Sequence, residues 1–139
     1  MATSELDIAQ ALYTTLHSAS GVTSLVTGVF DVNGLPEKQP YPYIVLGETT
    51  EGRHGDTFGR RGYDSVVMIH IWSVYTGKKE SLIIHNAIHT VLDNQDIHLS
   101  ANTLLSCQYD NGNTMMDNST TIDIVHRIDR YRITTEEGL

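Results

Sequence analysis

Apolar residues recur at helical spacing in two parts of the chain and at strand spacing in most of what lies between. Ile8, Leu12 and Leu16, with Ala9 alongside, form one stripe, and Ser4 with Asp7 three residues later makes a capping-box-like start. This helix ends or is interrupted at Gly21, after which residues 22–26 can add a turn before Gly28. The second helix is predicted over residues 78–93, where Ile84, Ala87, Ile88, Val91 and Leu92 share one face. Between the helices, residues 29–32 read as a short strand and residues 33–42 as a loop holding Pro36, Pro40 and Pro42. Residues 43–51 form a strand that passes from apolar to polar. Residues 64–76 are β-branched and aromatic, and long enough for a central strand. The segment joining them, GRHGDTFGRRGY at residues 52–63, holds four glycines and three arginines and predicts a flexible loop.

Two more strands close the pattern, at residues 103–109 and 120–134. In the second, Ile122, Ile124 and Ile128 alternate with Asp123, Arg127 and Asp129, the mark of a half-exposed sheet. The turn between them has two readings. Asn111-Gly112 is a local hairpin signal, and Met115-Met116 can instead extend the first strand to a turn at Asp117-Asn118-Ser119. Helix, strands, helix, strands predicts an α+β fold in a single domain over residues 1–139. It is a mostly antiparallel sheet with two main helices packed on one face and a short tail at residues 135–139.

A chain of 139 residues, 40% of them hydrophobic, is long enough to bury one sizeable core. Nine Lys and Arg against 17 Asp and Glu leave a net charge of −8, which repels polyanions and disfavours a surface that grips nucleic acid. Cys107 is the only cysteine, so neither an internal disulfide nor a Cys-rich zinc module is available, and a reducing compartment suits the chain. The opening MATSELDIAQ lacks a basic region followed by an apolar run, and no segment approaches the ~20 apolar residues that span a bilayer. The expectation is a soluble, cytoplasmic protein with no membrane partner.

Candidate chemistry is sparse. His85 and His89, four apart on the second helix, present themselves as a helical metal site does, but the position beside the first histidine, where a metallohydrolase needs a general base, is Asn86. A zinc site needs three or four ligands, and only the scattered His54, His70, His98 and His126 remain to supply them. Cys107 in LLSCQY reads as a small buried hydrophobe, Arg60-Arg61 as a loop or a protein contact, and Trp72 as core or subunit interface. No catalytic residue, metal or cofactor is expected.

The order of these features resembles a known family. IAQALYTTL, VTSLV, VFDV, PYPYIVLGET before a polar loop, VVMIHIWS, ESLIIHNAIHTVL and LLSCQYD before a long last strand are similar to the tail terminator (tail-completion, tail-to-head joining) family of long-tailed bacteriophages. The resemblance runs from about Ile8 to Ile133, and its most specific piece is Pro42-Tyr43-Ile44-Val45-Leu46-Gly47 at its distance before Trp72-Ser73. It implies a structural virion protein, not an enzyme. Such a subunit forms a hexameric ring that caps the finished tail tube, stops its polymerisation and presents a surface to the head-completion or neck protein. The implied partners are further copies of the chain, the tail tube protein and the head-completion protein, with DNA passing through the ring without specific binding. The implied place is the head-proximal end of the virion tail, after assembly in the host cytoplasm. Interface candidates are Arg53, Arg60, Arg61, Tyr63 and Trp72. The alternatives are a neck or head-completion adaptor, another tail ring component, or a small metal-dependent hydrolase using His85 and His89.

Overall fold

The computed structural model describes residues 3–31, 34–57, 60–74, 77–117 and 122–137, with side chains throughout except at residues 54–57 and 60. Its elements are helices α1 (Glu5–Ser18), α2 (Ser20–Thr23) and α3 (Lys79–Leu92), and strands β1 (Val29–Asp31), β2 (Tyr43–Thr57), β3 (Arg60–Ser73), β4 (Asn102–Asp117) and β5 (Ile124–Glu137). The strands form one sheet in the order β1-β2-β3-β5-β4, in which β1 runs parallel to β2 and every other neighbour is antiparallel. This is the expected α+β arrangement. The helical stripes and one sheet face make a single core, in which Ile8, Leu12 and Leu16 of α1 and Ile84, Ile88 and Leu92 of α3 lie with Ile44, Leu46, Ile69, Ile71, Tyr131 and Ile133. Period 2 along the strands turns every second residue to that face and leaves the intervening residues on the other.

Five local expectations change. Residues 52–57 and 60–63, expected as loop, continue β2 and β3 as a hairpin in which Gly52 lies opposite Asp64 and Arg53 opposite Tyr63. Glycine weakens a strand, but here each strand has its partner, and β3 is held on its far side where Gly62 and Tyr63 pair with Glu136 and Thr135 of β5. For the same reason Thr135, Glu136 and Glu137 belong to β5 and are not a tail. Phe58 and Gly59 of the expected loop lie outside the described residues, as do Val32, Asn33, Tyr75 and Thr76.

Asn111-Gly112 does not turn. It sits inside β4, which runs to Asp117 paired with Ile124, so the Met115-Met116 extension is the reading that holds. The proposed turn residues Asn118 and Ser119, and Thr120 after them, lie outside the described residues. Gly112 has a packing role instead, because a Cβ there meets Ile128 O at 2.7 Å, Asp129 Oδ1 at 2.8 Å and the Arg127 guanidinium at 2.5 Å.

Within β5, which begins at Ile124, the alternation holds, but Arg127 and Asp129 point inward, while Ile122 and Asp123 before it are exposed. Arg127 and Asp129 lie opposite Ile71 and Ile69 of the core face, and Asp129 is fully buried. Its carboxylate accepts from Arg127 Nε at 2.8 Å and pairs with His85 Nδ1 at 2.7 Å, so the burial of a charge is compensated.

The capping box is also reassigned. Ser4 N and Oγ donate to Glu51 Oε2 of β2 at 3.1 and 3.0 Å. Asp7 reaches the far end of the sheet, accepting from Ser100 N and Oγ, Ala101 N, and Asn102 N and Nδ2 at 2.8–3.2 Å. Burial pushes this carboxyl up, but the backbone N–H groups of Ala101, Ser100 and Asn102 outweigh it and hold the group far below the usual carboxylate range.

Candidate assembly surface

The five sequence-nominated residues separate into two places. Arg53 and Tyr63 are directly opposed near the upper end of the β2–β3 hairpin, and the Arg61 backbone pairs with Asp56 and that of Arg60 with Thr57. The Arg53 and Arg61 side chains are exposed and Tyr63 is half-buried, while the Arg60 side chain lies outside the description. Trp72 stands at the other end of β3, about 30 Å away along the strand. It lies between Tyr43 of β2 and His126 of β5, on the sheet face turned away from the helices.

Around Trp72 the fold collects residues that composition did not single out. The His126 ring stacks on the indole with centroids 3.7 Å apart and planes 9° off parallel. His126 Nε2 lies 2.7 Å from His70 Nδ1, and His70 Nε2 lies 3.2 Å from Glu48 Oε1. With both rings neutral, His126 Nε2–H donates to His70 Nδ1 and His70 Nε2–H donates to Glu48. Burial first, then the neighbouring His70, pushes the His126 imidazole down to about 4, against a small upward pull from Glu48. The backbone N–H of Glu48, followed by His70, holds the Glu48 carboxyl below its ordinary value. Tyr41, Tyr43 and Phe30 continue the aromatic group, with ring centroids 5.1 Å apart for Tyr41–Tyr43 and 6.5 Å for Phe30–Tyr43. Burial, then Tyr41, raises the Tyr43 phenol to about 12.

Gly47 makes room for this cluster, because a Cβ there falls 2.5 Å from the His70 ring. In the sequence, His70 and Trp72 stand two apart and so share a strand face. His126 could be added only once the β3–β5 register was known.

Of the histidine pair on α3, His85 turns to the interior and His89 stays partly exposed. His85 is tied to Asp129, the His85 and His89 centroids are 6.1 Å apart, and Tyr109 lies 5.4 and 5.6 Å from them. Arg127 NH2 donates to the Tyr109 hydroxyl at 2.9 Å, so helix α3 and strands β4 and β5 meet in one polar network. His89 faces Asp93, one turn on, at 3.4 Å. Among the described residues, no three His, Cys, Asp or Glu side chains are grouped so that they could hold a metal. Cys107 is buried, and burial followed by the Asp93 charge pushes its thiol up to about 12, the opposite of activation. Nor is any helix of the described chain long and apolar enough to cross a membrane.

The sheet therefore presents two arginines near one end, an aromatic–histidine cluster at the other, and several exposed apolar side chains along its β4 edge, including Leu105, Met115 and Met116. Such features suit contact with other proteins. The family model of tail completion protein gp17 matches residues 10–136. No curated protein sequence matches the chain. Among solved structures, a chain from the virion of a native gene transfer agent particle superposes with a TM-score of 0.81 at 19% identity, covering 99% of this chain and 100% of that one. At that identity the likeness shows a shared fold.

Proposed function

We propose, for a chain that belongs to the tail completion protein gp17 family and is a structural protein of the virion tail, that it is the tail terminator. Copies form a hexameric ring on the head-proximal end of the tail tube, stop its polymerisation and provide the surface to which the head is joined. The observation that carries this reading is the family match over residues 10–136, nearly the whole chain. The chain acts as a single domain, and its partners are other copies, the tail tube protein and the head-completion or neck protein. Arg53, Arg60, Arg61 and Tyr63 serve one contact and Trp72 another, because the β2–β3 hairpin holds them at opposite ends. DNA passes through without specific binding, which a net charge of −8 favours, since a lumen that gripped phosphates would slow the passage. The work is done by binding and shape, with no catalytic step.

Purified protein mixed with tail tubes of the same phage tests this by negative-stain electron microscopy. The expected image is a ring at one tube end, with elongation by added tube subunits blocked. Decoration along the whole tube, or free elongation with bare ends, contradicts it.

A further inference from the structure

The sheet ends in two uncovered strand edges that are complementary. On one side β4 pairs only with β5. Its middle is partly covered, since Asn94 N donates to Cys107 O at 2.8 Å and Tyr109 N to Asp93 Oδ1 at 2.8 Å. Below that point, residues 110–116 have no strand on their outer side among the described residues. On the other side β1 covers β2 only from Ile44 to Leu46; the β2–β3 ladder shifts register between Leu46 and Thr49, and among the described residues 49–52 pair with β3 alone.

Exposed edges are normally blunted by lysine, proline or bulges. The sixteen residues of β4 contain no Lys, Arg or Pro. Register shifts occur between Leu104 and Ser106 and between Tyr109 and Asn111, but from Asn111 to Asp117 the ladder with β5 is uninterrupted. Met115 and Met116 in this stretch are 40% and 44% exposed. An edge of this kind is built to be covered.

We infer that its occupant is a second copy of this chain: residues 110–116 of one copy pair antiparallel with residues 49–52 of the next. The inference rests on the ring proposed above and says how that ring closes. Direction supports it. Along β2, β3, β5 and β4 the strands alternate up, down, up, down, so two copies related by rotation about an axis along the sheet bring a downward β4 beside an upward β2. The antiparallel pattern continues without reversal. Each copy offers one edge of each kind, which makes a head-to-tail contact that closes into a ring. The uncovered stretches lie at different heights, and a closed, tilted sheet requires such a stagger between neighbours.

Register and composition agree. A pairing that sets Thr50 across from Asn113 lays residues 49–52 along residues 111–114, inside the uninterrupted part of the β4 ladder, where β4 carries no charged side chain. Thr50 and Asn113 are both exposed, and their partners Val66 and Ile128 place them on the same sheet face.

Disulfide trapping tests this with the double variant Thr50→Cys/Asn113→Cys, in which the native Cys107 stays silent because it is buried. Under mild oxidation the expected product is a ladder of cross-linked oligomers ending at the ring size, whereas a mixture of the two single variants stops at dimers. A second variant, Asn113→Lys/Met115→Lys, should keep its circular dichroism and lose ring formation at least tenfold by sedimentation. Dimers from Asn113→Cys alone would assign β4 to a two-fold pairing and overturn the inference. Rings that neither cross-link nor respond to the lysines would overturn it while leaving the terminator reading standing. A wild-type chain that forms no ring, free or on tube ends, would remove both.

Discussion

Single side chains tie distant parts of this fold together, and Asp7 does most in this respect. It joins α1 to the start of β4 through five hydrogen bonds, three of them from backbone N–H groups. Asp7→Ala leaves those donors unpaired and should cost about 2–4 kcal/mol in urea unfolding, since hydrogen bonds to a charged group are worth about 1.5–3 kcal/mol each and do not add. A loss under about 0.5 kcal/mol would contradict the anchoring role. Spacing marked Asp7 as a polar helix-start residue, but its partner 93 to 95 positions away cannot be found by local rules.

His126 gives the residue scale a pH signature. Its folded value, about 4, is depressed from 6.5, so the unfolded chain takes up the proton first. Above 6.5 the group contributes nothing. Stability should fall as pH drops from 6.5 to about 4, then level off for this group. His126→Phe keeps a ring against Trp72 and removes the titration, so its unfolding midpoint should be flatter over that window. An unchanged slope in the variant would contradict the assignment. Since Trp72 is the only tryptophan, its fluorescence in the native chain should change around pH 4, where His126 takes up its proton against the indole. Asp7, whose folded value is lowered, adds a separate loss as pH falls below 3.8.

At the scale of elements, strand pairing overrides local composition. The glycine-rich segment at residues 52–63 reads as loop because glycine is depleted in strands, yet the β2–β3 ladder runs through its described part. Asn111-Gly112 carries a turn signal, yet pairing with Arg130 and Asp129 keeps it extended. The helices were legible because their stripes are local and periodic. Strand length depends on what pairs opposite, which no window of sequence contains. Two glycines test this. Gly112→Ala forces a methyl against Ile128 O and Asp129 and should destabilise by about 1–3 kcal/mol. Gly21→Ala in α2 meets nothing within 4 Å and should be neutral or stabilise by about 0.5–1 kcal/mol. Thermal unfolding of both variants, read together, gives the answer. Equal effects would contradict the packing assigned to Gly112.

At the scale of the whole molecule, the α+β class and the tail family were legible before any coordinates, because the order of elements and the Pro42–Gly47 stretch are sequence features. What covers the sheet edges was not, because a single chain carries only half of each contact. The arginines belong to this scale. Replacing Arg61, whose side chain is exposed, by Glu should change stability by no more than about 0.5 kcal/mol, as exposed substitutions do, while the yield of joined particles falls at least tenfold in complementation. Full yields would remove the upper hairpin from the assembly contacts.

The central claim, that this chain ends the tail and prepares it for the head, is tested most directly by electron micrographs of lysates from a phage deleted for its gene. The account predicts filled heads lying apart from tails, with tails of irregular, often excessive length, and joined particles of uniform length on restoring the gene. Uniform tails already attached to heads in the deletion would contradict it.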